Sequence, residues 1–238
     1  GSAVADMSEA PSATRLLRQP ALSDTQLAFV WGGDLWVADR NGAQPRRLTR
    51  HAAAEFAPRF SPDGRWIAFS ASYDGNTDVY VIPSSGGQPR RLTWHPAADE
   101  VSGWSADGKR VLFASPREVL NSRSNQLFEV ALEGGYEQRV MDAVAYEGAW
   151  SADGRRLAYR PYRQAHNGTS GWRQSRGGTT PPIWIIDPKA GRWESVPHVN
   201  ATDSNPLWLG DVVVFISDRN DGAANLFAYD TRDKTLRQ

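Results

Sequence analysis

Apolar and polar positions alternate along this chain in short runs bounded by turn residues, never in the three-to-four spacing of an amphipathic helix. The clearest stretch carries Phe60-Ser-Pro-Asp-Gly64, the apolar run Trp66-Ile-Ala-Phe69, the turn Tyr73-Asp-Gly-Asn76 and a second run Val79-Tyr-Val-Ile82. The same six residues, Gln-Pro-Arg-Arg-Leu-Thr, stand at 44–49 and again at 88–93, so the pattern repeats every 44 residues. The pattern predicts four short strands and three turns per repeat. Self-similarity at that length is the signature of a β-propeller blade, a small twisted sheet that buries its faces against its neighbours.

Five such units can be read, with expected boundaries near 16–49, 50–93, 94–141, 142–197 and 198–238. The first has Leu22-Ser-Asp24 where the second has Ser-Pro-Asp-Gly, and the third and fourth carry Trp104-Ser-Ala-Asp-Gly108 and Trp150-Ser-Ala-Asp-Gly154. The aromatic before this turn sits at Phe60, Trp104, Trp150 and Trp208, giving spacings of 44, 46 and 58, the last an insertion. In each turn Asp is expected to bond the local backbone and Gly to take a positive φ. The aromatic is expected to pack between blades. The fold class expected is all-β, a propeller of four-stranded antiparallel blades with five visible. The chain ends inside the expected outermost strand of the fifth, which reads as a cut at a blade boundary.

Composition supports this picture. Ten Trp, seven Tyr and eight Phe can fill the spaces between sheets, and 21 Gly with 15 Pro suit many turns. Lys plus Arg and Asp plus Glu are both 27, so no basic excess points to nucleic acid or an anionic membrane. The absence of cysteine removes disulfides, thiolate catalysis and Cys-based zinc sites. No apolar run of about 18 residues predicts a membrane span. Gly1-Ser2 reads as the remnant of a cleaved tag, and residues 1–15 as a disordered lead-in. Such a lead-in suits an exported, periplasmic protein, with a cytoplasmic location as the alternative.

Several segments resemble the amino-terminal propeller of the tricorn-like serine peptidases. They are Gly33-Asp-Leu-Trp-Val37, Tyr73-Asp-Gly-Asn-Thr-Asp-Val-Tyr80, Arg91-Leu-Thr-Trp-His-Pro96, Arg176-Gly-Gly-Thr-Thr-Pro-Pro-Ile-Trp-Ile185 and Phe215-Ile-Ser-Asp-Arg219 with Asn225-Leu226. The likeness runs from about Leu16 onward, and the Ser-Pro-Asp-Gly turns are shared with the Tol-system propeller. The resemblance implies a propeller that is not catalytic. It would scaffold the assembly and filter or guide peptides or unfolded polypeptide, while PDZ-like and catalytic domains follow elsewhere in a protein that can form homo-oligomers. It also implies a six-bladed first propeller, of which this chain would supply five blades. No cofactor is implied.

The residues themselves show no Gly-x-Ser-x-Gly elbow, His-Glu-x-x-His or phosphate-binding loop. No catalytic set is therefore expected in this chain. Asp218-Arg-Asn-Asp-Gly222 departs from a calcium loop and reads as a turn. His51 and His95, 44 apart, are expected in inter-blade connections, and His166 and His198 at the surface or as caps rather than as metal ligands. Two groups of site candidates stand out. The long segment from Pro161 to Pro182 offers Tyr162, Arg163, Trp172, Arg173 and Arg176 as a lid or contact surface, or as a loop folded on its own blade. The acids Glu55, Glu100, Glu147 and Asp203 fall near the start of successive innermost strands and could form a negative channel mouth favouring basic or amino-terminal ends. Their offsets from the aromatic are five, four, three and five, which conflicts with a common direction along a strand of period two. Two other readings remain open. One is a free-standing Tol-like propeller that binds a protein partner. The other is a five-bladed glycan hydrolase using converging carboxylates.

Overall fold

The computed structural model describes residues 17–119, 124–161, 180–220 and 222–238. Among the described residues, twenty strands and no helix form five four-stranded antiparallel sheets, the blades of a five-bladed propeller. The first blade is β1 (Arg18–Leu22), β2 (Gln26–Trp31), β3 (Asp34–Asp39) and β4 (Arg46–Arg47). The second is β5 (Glu55–Phe60), β6 (Trp66–Ala71), β7 (Asp78–Pro83) and β8 (Arg90–Arg91). The third is β9 (Glu100–Trp104), β10 (Arg110–Ser115), β11 (Gln126–Ala131) and β12 (Gln138–Arg139). The fourth is β13 (Glu147–Trp150), β14 (Leu157–Arg160), β15 (Trp184–Asp187) and β16 (Arg192–Ser195). The fifth is β17 (Asp203–Leu209), β18 (Val212–Ser217), β19 (Asn225–Asp230) and β20 (Leu236–Arg237). Each sheet is thus built from consecutive strands, and the fifth blade has its own outermost strand within this chain.

The turn between the first two strands works as its residues predict. Ser61 Oγ accepts from Trp66 N at 3.0 Å and donates to Asp63 Oδ1 at 2.6 Å, while Asp63 Oδ1 accepts from Arg65 N and Gly64 takes φ 70°. Ser105-Asp107 and Ser151-Asp153 repeat the arrangement. These local donors hold Asp63 at about 2, the bond from Ser61 being the largest cause, and hold Asp107 and Asp153 below the ordinary value as well.

Packing between blades is head to tail. The two central strands of a blade pair an aromatic across the ladder, Phe69 with Tyr80, Phe113 with Phe128 and Phe215 with Phe227, with ring centroids 5.8, 5.8 and 6.0 Å apart. Each pair lies on small aliphatic side chains of the preceding blade: Ala28, Val30 and Leu35, then Ala68, Val79 and Val81, then Ala158, Ile183 and Ile185. Between the third and fourth blades Tyr159 and Trp184 meet Leu112, Ala114 and Leu127 in the same way. The aromatic before each turn joins these clusters. Trp104 Nε1 donates to the Arg59 carbonyl and Trp208 Nε1 to the Ala149 carbonyl, both at 2.9 Å, so an indole of one blade closes on the inner strand of the blade before it.

The rim is joined by the outermost strands. Arg46 Nη1 donates to the Ser85 carbonyl, and Arg90, 44 residues later, donates to the Leu132 carbonyl at 2.6 Å. Glu194 holds the corresponding place in the fourth blade and pairs with Lys234. Extensive strand packing runs from the first blade through to the fifth. The faces not used in these four junctions carry exposed apolar side chains, Leu22 and Trp31 on the first blade and Leu207, Leu209, Ile216 and Leu226 on the fifth.

Phe113 is fully buried at a junction. Phe113→Ala should lower the unfolding free energy by about 3–5 kcal/mol, read as a lower urea midpoint. A loss below about 1 kcal/mol, the size of an ordinary substitution, would contradict the head-to-tail account.

Candidate functional site

The innermost strands β5, β9, β13 and β17 each open on one of the four candidate acids, Glu55, Glu100, Glu147 and Asp203. Their unequal offsets from the aromatic are partly absorbed by bulges. β5, β9 and β17 each insert one extra residue against the neighbouring strand, and β13 inserts none. The acids then pair with Ala71, Ala114, Arg160 and Ser217, while the aromatics pair with Ile67, Val111, Leu157 and Val213. Counted along the partner strand, Glu55 and Asp203 lie an even number of steps from their aromatic, and Glu100 and Glu147 an odd number. The four therefore divide into two pairs on opposite faces. Glu55 and Asp203 are each 1% exposed, and Glu100 and Glu147 are half-buried.

The buried pair anchors the starts of two inner strands, each as a polar latch. Glu55 Oε2 accepts from Leu35 N at 2.8 Å and from the Thr49 hydroxyl, and Oε1 accepts from the Tyr73 hydroxyl. Leu35 and Thr49 belong to the first blade and Tyr73 to the second, so one carboxylate joins the two. Burial raises Glu55 above its ordinary value, with the three donors opposing and the nearby Asp34 adding to the rise. Asp203 instead meets Arg219, whose Nη2 lies 3.0 Å from both carboxylate oxygens, and His198 Nδ1 at 2.9 Å. The Arg219 guanidinium covers Phe215 and Phe227 at 5.1 and 5.0 Å.

A third latch is not among the candidates read from the sequence. Asp99, fully buried, binds Arg117 at 2.6 Å, and Arg117 covers Phe113 and Phe128 as Arg219 covers its own pair. Asp99 lies 44 residues after Glu55, and the backbone confirms the match: Glu55 N donates to the Gly33 carbonyl and Asp99 N to the Thr77 carbonyl, both at 2.8 Å. The repeat length was the signal that could have found it. Glu100, one residue later, points elsewhere and accepts from the Tyr146 hydroxyl at 3.1 Å.

On the channel side, the inner strands are tied to one another by side chains. Gln19 Oε1 accepts from Ala57 N, Arg59 Nε donates to the Ser102 carbonyl, Ser102 Oγ bonds both N and O of Gly148, and Glu147 Oε1 accepts from Asn205 N. Gln19, Ala57 and Asn205 take positive φ of 53°, 53° and 55°, the left-handed turn of a bulge that aims a peptide N–H at the neighbouring strand. Glu147 is also paired with Arg160 at 2.9 Å. This arrangement gives a polar girdle bearing both signs of charge.

His51 and His95 each accept from the backbone two residues on, at Ala53 N and Ala97 N, through Nδ1 at 3.0 Å. Among the described residues no group of three or more His, Cys, Asp or Glu is placed to hold a metal. Tyr162, Arg163, Trp172, Arg173 and Arg176, with His166, lie outside the described residues.

Residues 14–238 match the family model described as the tricorn protease N-terminal beta propeller domain. The chain belongs to the tricorn N-terminal propeller family. Tricorn protease homolog 1 of Streptomyces coelicolor is 31% identical over 221 residues, which are 92% of this chain but 20% of that relative. This propeller therefore spans about a fifth of the length of the relative. The crystal structure of the tricorn protease superposes with a TM-score of 0.76 at 23% identity, over 93% of this chain and 22% of that one. A putative TolB from Agrobacterium tumefaciens superposes with a TM-score of 0.73 at 22% identity, over 93% and 79% of the two chains. The two superpositions show the propeller fold.

Two outcomes test the latches. Asp203→Ala should cost about 3–5 kcal/mol by stranding the Arg219 charge, and adding Arg219→Met should recover part of that loss. Equal stability of the single and double variants in urea melts would show that the pair is not coupled. For Glu55, a pKa raised on folding means stability is fully present below the unfolded value and declines as pH rises through the folded one. Glu55→Gln should therefore gain on the wild type from acid toward neutral pH in thermal melts. Parallel pH profiles would remove Glu55 as the cause.

Proposed function

We propose that this propeller is a non-catalytic region of a tricorn-like serine peptidase, scaffolding the assembly and guiding or gating peptides toward catalytic and PDZ-like domains elsewhere in the protein. The observation that carries the reading is the family match across residues 14–238 together with a relative five times as long. The polar girdle supports it, because backbone and side-chain groups of both signs suit an extended chain without selecting one sequence. In this reading the buried Glu55 and Asp203 maintain the channel wall, and the half-buried Glu100 and Glu147 give its mouth a negative side.

Titration of labelled, unstructured peptides with this chain tests the reading by fluorescence anisotropy. Saturable binding is expected with a Kd of about 10 µM to 1 mM, the weak range suited to a passage. Absence of saturable binding would overturn the guiding role. Glu100→Gln should weaken peptides with a free amino terminus about two- to fivefold while leaving acetylated ones unchanged, as expected of one partly exposed ion pair.

A further inference from the structure

The outer edge of the fourth blade differs from the others. β4, β8, β12 and β20 are two residues long, short enough to blunt a sheet edge against further pairing, whereas β16 runs for four, Arg192–Ser195. Among the described strands β16 pairs only with β15. Val196 N donates to the Ile183 carbonyl, and the alternation of an antiparallel ladder then turns the backbone groups of Glu194 and Arg192 toward β15. The N–H and C=O of Trp193 and Ser195 consequently face outward. Trp193 is 67% exposed, and its ring stands edge-on to Trp184 at 5.0 Å.

The groove beside this edge is open as well. At the first two junctions an arginine of the outermost strand, Arg46 or Arg90, crosses to turn carbonyls of the next blade. Glu194 stands at that place on the fourth blade and is neutralised by Lys234. A cleft of about 430 Å³ remains, with Arg155, Arg156, Asp187, Arg192, Glu194 and Lys234 among its lining residues. Arg155 and Arg192, both well exposed, share the one carboxylate of Asp187 at 4.0 and 3.6 Å. Both distances exceed that of a charge-assisted hydrogen bond, so an anion placed opposite Arg192 meets a cation that is only partly neutralised.

We propose that β16 is a docking edge for an extended segment of a partner protein, added as a fifth strand on the fourth blade. The outward groups of Trp193 and Ser195 supply the ladder. Side chains of the added strand alternate between faces, so those beside Arg192 and Glu194 look into the cleft and those beside Trp193 lie on its ring. The cleft cations and the indole together favour a segment that alternates acidic with apolar residues. The edge lies at the rim, so this docking is independent of any passage of peptides through the channel.

The test titrates wild type, Ser195→Pro and Arg192→Gln with an acetylated and amidated peptide alternating Glu and Val, and with its Gln-for-Glu counterpart. Saturable binding of the Glu peptide is expected, with amide exchange at Trp193 and Ser195 slowing in step with it. Ser195→Pro removes an outward donor and no bond to β15, so it should keep the wild-type urea melt while binding about five- to tenfold more weakly. The Gln peptide should bind wild type about two- to fivefold more weakly, the scale of one exposed ion pair, and Arg192→Gln should erase that difference. Absence of binding, or binding that leaves both amides unprotected, overturns the docking edge. Equal affinity of a folded Ser195→Pro does so too, and if that variant fails to fold, the wild-type amides decide. Protection that rises with protein concentration before any peptide is added would identify a second copy as the occupant and overturn the partner assignment.

Discussion

The structure depends on the stacking of one blade's central aromatics upon the small aliphatics of the blade before it. A four-stranded sheet of this size has two apolar faces and cannot cover either alone. The chain solves this by making the faces unlike. Bulky rings such as Phe69 and Tyr80 project one way, and Ala68, Val79 and Val81 of the same strands project the other. Because facing surfaces differ in size, they interdigitate, and each junction has a defined direction.

The carboxylate latches sit at the end of this packing where an inner strand begins. They vary in chemistry while holding one place. Glu55 reaches backbone and hydroxyl donors, whereas the shorter Asp99 and Asp203 meet an arginine that lies on the aromatic pair. Tyr73 covers the rings of the second blade where Arg117 and Arg219 cover theirs. An anion and its cover have changed together, so each of these three carboxylates keeps a partner for its charge. The same inner strands then turn their bulges toward the channel, which places structural and exposed polar groups within a few residues of each other.

Most of the fold was legible in the sequence, since alternating runs and the repeated hexapeptide specify strands, turns and blade length directly. The site was less so. The conflict in offsets among the four acids was visible, but its resolution lay in bulges on β5, β9 and β17, of which those at Ala57 and Asn205 carry no glycine to announce a left-handed backbone. Asp99 could have been found by adding the repeat length to Glu55, and the neighbouring Glu100 drew attention instead.

The directional junctions also have a thermodynamic consequence. The second, third and fourth blades are held on both sides, while the first and fifth each leave an apolar face exposed at Trp31 or at Ile216 and Leu226. Such an array behaves like a short one-dimensional chain of coupled units. Within these five blades taken alone, cooperativity is greatest at the centre and fluctuations enter from the two outer blades, so slow amide exchange should concentrate in the middle three. The acids Glu100 and Glu147 on the third and fourth blades thus lie in the most rigid part of these five blades.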